Sequence, residues 1–293
     1  MWFRAKRCDE ALADLRSLSV AGKVQGVYNR CFHLLLEDSR LITVFGDIAD
    51  IMPMSVCTDG KAEAPFDNVP LEPGQQAVIS CGILAIPQAG FLCTLQMQSV
   101  SLLRGRLPPP VRLQELRETL LAQGKPRGAG QWLPQWVEYL DWGSPLPEDA
   151  VILHRFTRLL SAVEQDAEGI REALSKLVGL GIGLTPSADD MICGLCAAIC
   201  LWWPEKKGRI FLDTLTDYCC EYGKLRTTFV SCQQLERTAK GFLSDPVYEL
   251  GRTISGQGGN LNLALENVTE YGSSSGTELC MGLLAGIYAA ISF

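Results

Sequence analysis

Two different hydrophobic rhythms divide this chain. Between Gly26 and about Leu103 the apolar residues come in short runs: VYNRCFHLLLED, RLITVFGD, DIMPMSVC, QAVISC, GILAIP and FLCTLQMQSVSLL. They are rich in β-branched and aromatic side chains and punctuated by Gly, Pro, Asp and Asn, which predicts strands. Glu37-Asp38-Ser39-Arg40 reads as a hairpin turn. Six strands at this spacing predict a small barrel or sandwich. Ahead of them, Phe3–Leu18 places Ala11, Leu12, Leu15 and Leu18 on one side, the pattern of an amphipathic helix. The triple proline of Arg106-Leu-Pro-Pro-Pro-Val111 ends any strand and predicts a stiff extended connector. Beyond it the period becomes helical. VRLQELRETLLAQG, AVILHRFTRLLSAVEQ and DAEGIREALSKLVGLG predict three helices, with a Gly/Pro/Trp-rich loop over Pro126–Pro147. From Ser187 to the end the helical pattern continues, with breaks near Pro204, Gly223, Pro246 and Gly256–Gly259. The expected fold class is α+β: a β-rich N-terminal domain over residues 1–106, then a mostly α-helical domain over 107–293 that carries the sequence GLTPSADD.

Composition narrows the function. A net charge of −7 argues against a nucleic-acid partner, because phosphate backbones need a basic footprint. Met191–Trp203 and Leu279–Phe293 are apolar but shorter than the roughly 18–20 residues that span a bilayer; they are expected to be buried core helices. MWFRAKRCDEALADLR lacks an apolar stretch of signal-peptide length, so the expected location is the cytoplasm and the 12 cysteines are expected to be free thiols. Cys193, Cys196 and Cys200 share one helical stripe. Their neighbours are Ile, Leu and Ala, so core packing is expected rather than a metal site. The two histidines, His33 and His154, lie in apolar periodic runs and are expected to be structural.

Chemistry concentrates in Gly179-Leu-Gly-Ile-Gly183-Leu-Thr185-Pro186-Ser187-Ala-Asp189-Asp190. Alternate glycines permit a backbone path and close approach that side chains would block. Thr185 followed by Pro186 at the first helical position is one helix start; Ser187 with Asp190 as a capping box is another. In either case a glycine-rich loop feeds a helix N-terminus, whose N–H groups and dipole suit phosphate or carboxylate. One acid suffices for a cap, so the second is free to position a nucleophile or to hold Mg²⁺ against a phosphate. Lys224-Leu-Arg226-Thr227-Thr228 sets two cations beside two hydroxyls, and Arg pairs bidentately with phosphate or carboxylate. Gly272-Ser-Ser-Ser-Gly276 offers three more hydroxyls at another helix start. An internal echo aligns Ser187, Asp190, Gly194 and Leu195 with Ser275, Glu278, Gly282 and Leu283 at an offset of 88 residues. The three polar loops are expected to meet. Gln131–Trp142, with three Trp in twelve residues, is the candidate contact for another chain.

Three blocks carry a family resemblance: GLGIGLTPSADDMICGLCAA, RTTFVSCQQLERTAKGFLSDPVYEL and YGSSSGTELCMGLLAG. In order and spacing they resemble AllH-type proteins, a subunit assigned to bacterial oxamate carbamoyltransferase. The β-rich half fits that family through its strand order and the PGQQAVISCGILAI stretch. Ala188 stands where many relatives carry Gly or a polar residue, and Ser273 where some carry His. The resemblance implies anaerobic allantoin (purine) catabolism, with oxalurate and phosphate yielding oxamate and carbamoyl phosphate, an activity tied to three gene products acting together. The expected partners are therefore other subunits and a small anionic substrate such as carbamoyl phosphate or oxamate. No cofactor is expected beyond room for a Mg²⁺ ion. The expected ligand contacts are Gly181, Gly183, Thr185, Ser187, Arg226, Thr227, Thr228, Ser274, Ser275 and Gly276, with Asp189 or Asp190 as general base or as the group orienting the ureido nitrogen. Asp190 is expected to be mainly a cap and Asp189 to face the loop mouth. The alternative is a non-catalytic binding or assembly subunit.

Overall fold

A computed structural model describes residues 1–48, 51–163 and 166–291. The chain divides into Met1–Leu102 and Leu103–Phe293. In the first unit the strands are β1 (Trp2–Asp9), β2 (Val20–Val27), β3 (Cys31–Leu36), β4 (Leu41–Phe45), β5 (Ser55–Thr58), β6 (Gln76–Ser80), β7 (Ile83–Ile86), β8 (Phe91–Thr94) and β9 (Gln98–Val100). They pair in the order β5-β4-β3-β2-β6-β7-β8-β1-β9, and a β1–β5 pairing closes the first eight into a barrel. Closure removes the exposed edges an open sheet would leave. β1 makes it possible by pairing antiparallel with β5 on one side and parallel with β8 on the other. Phe3, Phe32, Phe66 and Phe91 pack edge-on or stacked inside, with ring centroids 5.0–6.0 Å apart.

Several expectations need correction here. The N-terminal segment is not one amphipathic helix. It is strand β1 followed by a 3-10 helix, Glu10–Arg16. Phe3 and Ala5 alternate into the barrel, and Asp9 ends the strand by accepting from the N–H groups of Ala11 and Met54. Among the described residues nine strands replace the expected six: β1 and β2 are additional, and FLCTLQMQSVSLL is split into β8 and β9. Asp50, the first residue of the DIMPMSVC run, lies outside the described residues. The hairpin turn at Glu37–Arg40 forms, with Ser39 at φ 70° and the Leu36 N–H bonded to the Arg40 carbonyl at 2.9 Å.

The second unit holds α1 (Leu113–Gln123), α2 (Leu133–Trp142), α3 (Val151–Ala162), α4 (Ala167–Leu177), α5 (Ser187–Trp202), α6 (Glu205–Tyr218), α7 (Lys224–Arg226), α8 (Phe229–Ala239), α9 (Asp245–Ile254), α10 (Leu261–Thr269) and α11 (Ser275–Ile291). The proline-rich connector lies on this unit. The Leu107 N–H bonds the Leu201 carbonyl and the Val111 N–H bonds the Ile254 carbonyl, each at 3.0 Å. Pro126–Pro147 is not a loop but contains a 3-10 turn, Gly128–Trp132, and α2. Trp136 is fully buried, its indole N–H on the Met281 carbonyl. Trp132 is half-buried and Trp142 is 82% exposed.

α5 and α11 form the centre of this unit. α5 is apolar on every side, as a helix enclosed by others must be, and Cys193 and Cys196 belong to that apolar core. No helix among the described residues is long and apolar enough to cross a membrane. The two helices run in the same direction and touch backbone to backbone through glycine. A methyl group on Gly194 would stand 1.9 Å from the Leu279 carbonyl oxygen, and one on Gly282 would stand 1.9 Å from that of Met191. These contacts are reciprocal, since 279 precedes 282 by three residues and 191 precedes 194 by three. The 88-residue echo is thus a local twofold relation that brings two helix N-termini together.

Candidate active site at the paired helix starts

The approach to α5 needs its glycines. Gly179, Gly181 and Gly183 have φ of 83°, 128° and 97°, values that L side chains rarely adopt. A methyl at Gly179 would also stand 1.9 Å from the Arg226 carbonyl oxygen, and one at Gly181 would stand 2.5 Å from the Ser187 nitrogen. The loop thus lies directly on α7 and on the start of α5. It leaves Ile182 and Leu184 at 88% and 45% exposure, beside Leu225 at 85%.

Neither expected cap forms. Pro186 occupies the N-cap position and has no side-chain capping bond, so Ser187 is the first helical residue, Asp189 the third and Asp190 the fourth. The Ala188 N–H bonds the Leu180 carbonyl, and those of Asp189 and Asp190 bond the Pro186 carbonyl. Most of the anion-cradling N–H groups expected at this terminus are therefore already used.

The two aspartates exchange their expected roles. Asp189 is fully buried and does not face the loop mouth. Its Oδ1 accepts from the Gly179 N–H at 2.8 Å. Its Oδ2 accepts from Ser231 Oγ at 2.6 Å and from Thr227 Oγ1. One carboxylate thereby ties the glycine loop, the residue after α7 and the start of α8 to α5. Burial pushes its pKa up, against those three hydrogen bonds. Asp190 does no capping. It is 5% exposed, and its Oδ2 has no hydrogen-bond partner. Burial raises its pKa well above the usual carboxylate range; Glu278 and Asp189 add to the rise, while the hydroxyls of Ser275 and Thr185 oppose it.

The three polar loops meet. Thr185 Oγ1 and Ser275 Oγ are 2.8 Å apart, joining the starts of α5 and α11. Thr228 caps α8 through the Ser231 N–H and donates its own hydroxyl to the Leu184 carbonyl. Arg226 is exposed, and its charge lowers the pKa of Tyr218 against the rise that burial causes; the buried Tyr218 hydroxyl has no partner. Ser274 and Ser275 are partly exposed, Ser187 is buried, and Gly181 and Gly183 are exposed on the loop. The Gly276 N–H bonds the Tyr271 carbonyl, and a methyl there would meet the Val268 carbonyl oxygen at 1.9 Å.

Three residues at this place carried no assignment in the sequence. Ser231 and Tyr218 gave no signal. Glu278 did, as the echo of Asp190. It is fully buried, its Oε1 accepts from the Ala129 N–H at 2.7 Å, and its Oε2 has no partner. Among the described residues no group of three or more His, Cys, Asp and Glu side chains could hold a metal ion. Two adjacent buried carboxyls and several hydroxyls suit a polar, hydrogen-bonding ligand better than a bare anion, which the carboxyls would repel.

No solved structure matches the chain. Residues 4–100 match the AllH family N-terminal domain, covering nearly all of the barrel. Residues 177–287 match the family described as oxamate carbamoyltransferase subunit AllH, and that match spans the glycine loop, all of α5, most of α11 and all three polar loops. The chain belongs to the AllH family, described as a subunit of oxamate carbamoyltransferase.

Proposed function

We propose that this chain supplies the binding site for the carbamoyl-bearing substrate of the transferase, in the reaction that converts oxalurate and phosphate to oxamate and carbamoyl phosphate. In that reaction a phosphate oxygen bonds the ureido carbon, the C–N bond breaks, and the departing nitrogen takes up a proton. The observation that carries this reading is the meeting of three polar loops over two joined helix starts, with the Thr185–Ser275 contact of 2.8 Å at its centre. The carboxyl of Asp190 favours a neutral amide end on the inside. The carboxylate or phosphate end then faces the exposed side, where Arg226 offers a guanidinium fork and Ser274 a hydroxyl. Asp190 orients the amide, while Asp189, Thr227 and Thr228 hold the loops in place.

The test is titration of the purified chain, alone and with its partner subunits, with oxamate and with carbamoyl phosphate. Arg226→Ala and Thr185→Ala are expected to weaken binding in both preparations. Unchanged affinities would move the site elsewhere. A second reading is an assembly subunit whose loop is covered by another chain. The exposure of Ile182 and Leu225 favours it, because apolar side chains grouped on a loop rim are suited to an interface. Oxamate binding only in the assembled complex, lost on Ile182→Asp, would support that reading.

A further inference from the structure

Asp190 and Glu278 occupy equivalent places, each the fourth residue of its helix and each at the joined end of the parallel pair. Both are buried, at 5% and 0% exposure, and each has one oxygen without a hydrogen-bond partner, Oδ2 and Oε2. Leaving one such oxygen unpaired is costly and leaving two side by side is more so, unless a proton or ligand serves them both. From α5 come Asp189, which its own three donors saturate, and the buried Cys193 thiol, whose pKa burial raises and Asp190 raises further. From the loop and from α11 come the hydroxyls of Thr185 and Ser275. From the turn before α2 comes the Ala129 N–H, on the other Glu278 oxygen. The ammonium of Lys125, whose backbone N–H bonds Thr277, is directed to Glu270 and the Gly272 carbonyl. Among the described residues no cation is paired with either carboxyl, and two helix N-termini disfavour a metal ion there.

We infer that Asp190 and Glu278 form a two-carboxyl clamp for a planar –CO–NH2 group, Glu278 accepting an N–H and Asp190 donating its O–H to the carbonyl oxygen. A carboxyl that donates its O–H beside one that accepts is the complement of a primary amide. Phosphate and simple carboxylates lack the N–H and would meet the Glu278 charge. Thr185 and Ser275, partly exposed and in contact with Asp190, stand at the entrance, so entry requires their mutual bond to open. The clamp rests on the site proposed above and extends it by Glu278 and by the chemical class that the inner end accepts.

Discrimination between oxamate and oxalate tests it, since oxalate replaces the amide by a second carboxylate. Both are titrated calorimetrically into the full chain with its partner subunits, with folding of each variant checked by thermal melting. The wild type is expected to prefer oxamate. Glu278→Gln keeps an oxygen for Ala129 and removes the charge, and should reduce that preference roughly 10- to 100-fold, the worth of one hydrogen bond to a charged group. Glu278→Leu, which removes the charge and the acceptor together, should do likewise, and stands in if Glu278→Gln does not fold. A preference unchanged in the folded variants, while Arg226→Ala weakens both ligands, overturns the clamp and leaves the site. Failure of the wild type to bind either ligand, or indifference of both to Arg226→Ala and Thr185→Ala, removes the site and the clamp with it.

Discussion

Replacing Asp189 by alanine probes the keystone of the loop arrangement. Asp189 is fully buried, so its loss gains nothing from solvent and leaves three donors behind: the Gly179 N–H, the Ser231 hydroxyl and the Thr227 hydroxyl. A buried donor left unsatisfied costs about 1–3 kcal/mol. Thr227 is partly exposed and can turn to water, so two donors carry most of the cost. The high burial of the carboxylate itself is unfavourable and offsets part of the loss. A net destabilisation of about 3–5 kcal/mol is expected. That is a large share of the roughly 5–15 kcal/mol that holds a domain folded. At about 2–4 °C per kcal/mol for a unit of this size, the midpoint of thermal unfolding should fall by roughly 6–20 °C. Limited proteolysis should then cut first within the glycine loop, because Gly179 loses its anchor. Calorimetry and a urea titration on wild type and variant measure the loss independently. A variant melting within about 2 °C of wild type, with the loop still protease-resistant, would refute the assignment of Asp189 as a structural tie.

Asp190→Asn should change the pH dependence of stability instead. The folded pKa lies above the unfolded value of about 4, so protonation stabilises the folded chain fully below about pH 4 and that contribution is lost as pH rises through the folded pKa, by up to about 1.4 kcal/mol per pH unit. Melting curves between pH 5 and 8 should be flatter for Asp190→Asn than for wild type; equal slopes would contradict the reasoning. Trp136→Ala should cost about 3–5 kcal/mol, as expected for a fully buried aromatic, while Trp142→Ala should stay within about 0.5 kcal/mol by urea unfolding. Gly194→Ala forces a methyl to within 1.9 Å of the Leu279 oxygen and should cost about 1–3 kcal/mol or more by calorimetry, since the neighbour is backbone.

Much of this fold was legible because its signals are local. The β-rich first half, the helical second half and the buried character of Met191–Trp203 follow from period and length alone. What misled was context. The Leu12 and Leu15 spacing is helical, and those residues do form a 3-10 helix, but Trp2–Asp9 becomes a strand because β5 and β8 offer it partners far along the chain. Barrel closure depends on the same pairings and left no mark in the strand count. In Pro126–Pro147, expected to be a loop for its Gly and Pro content, Pro134 falls in the first turn of α2, where proline is tolerated. At the site, the three loops could be chosen from their composition, whereas the roles of the two aspartates could not. Those roles depend on where the helix begins, and Pro186 at the cap position shifts Asp189 onto the side facing Ser231.

The internal echo explains why the acids divide as they do. In both helices the third position serves packing: Asp189 ties the glycine loop and α8, and Thr277 Oγ1 accepts from the Lys125 N–H at 3.0 Å. In both helices the fourth position carries an acid with an unpartnered oxygen. Two helices joined through Gly194 and Gly282 must present the same face to each other, so equivalent positions meet equivalent surroundings. The difference lies in side-chain length. Glu278 is long enough to bond the Ala129 N–H with one oxygen and leave the other unbonded, while the shorter Asp190 stays close to its own helix and meets only hydroxyls. A symmetric frame has thereby produced two unlike carboxyls, one steadied by a backbone donor and one held by burial toward its protonated form. That inequality is what a ligand with both a donor and an acceptor requires, and two identical aspartates on the same frame would supply it less well.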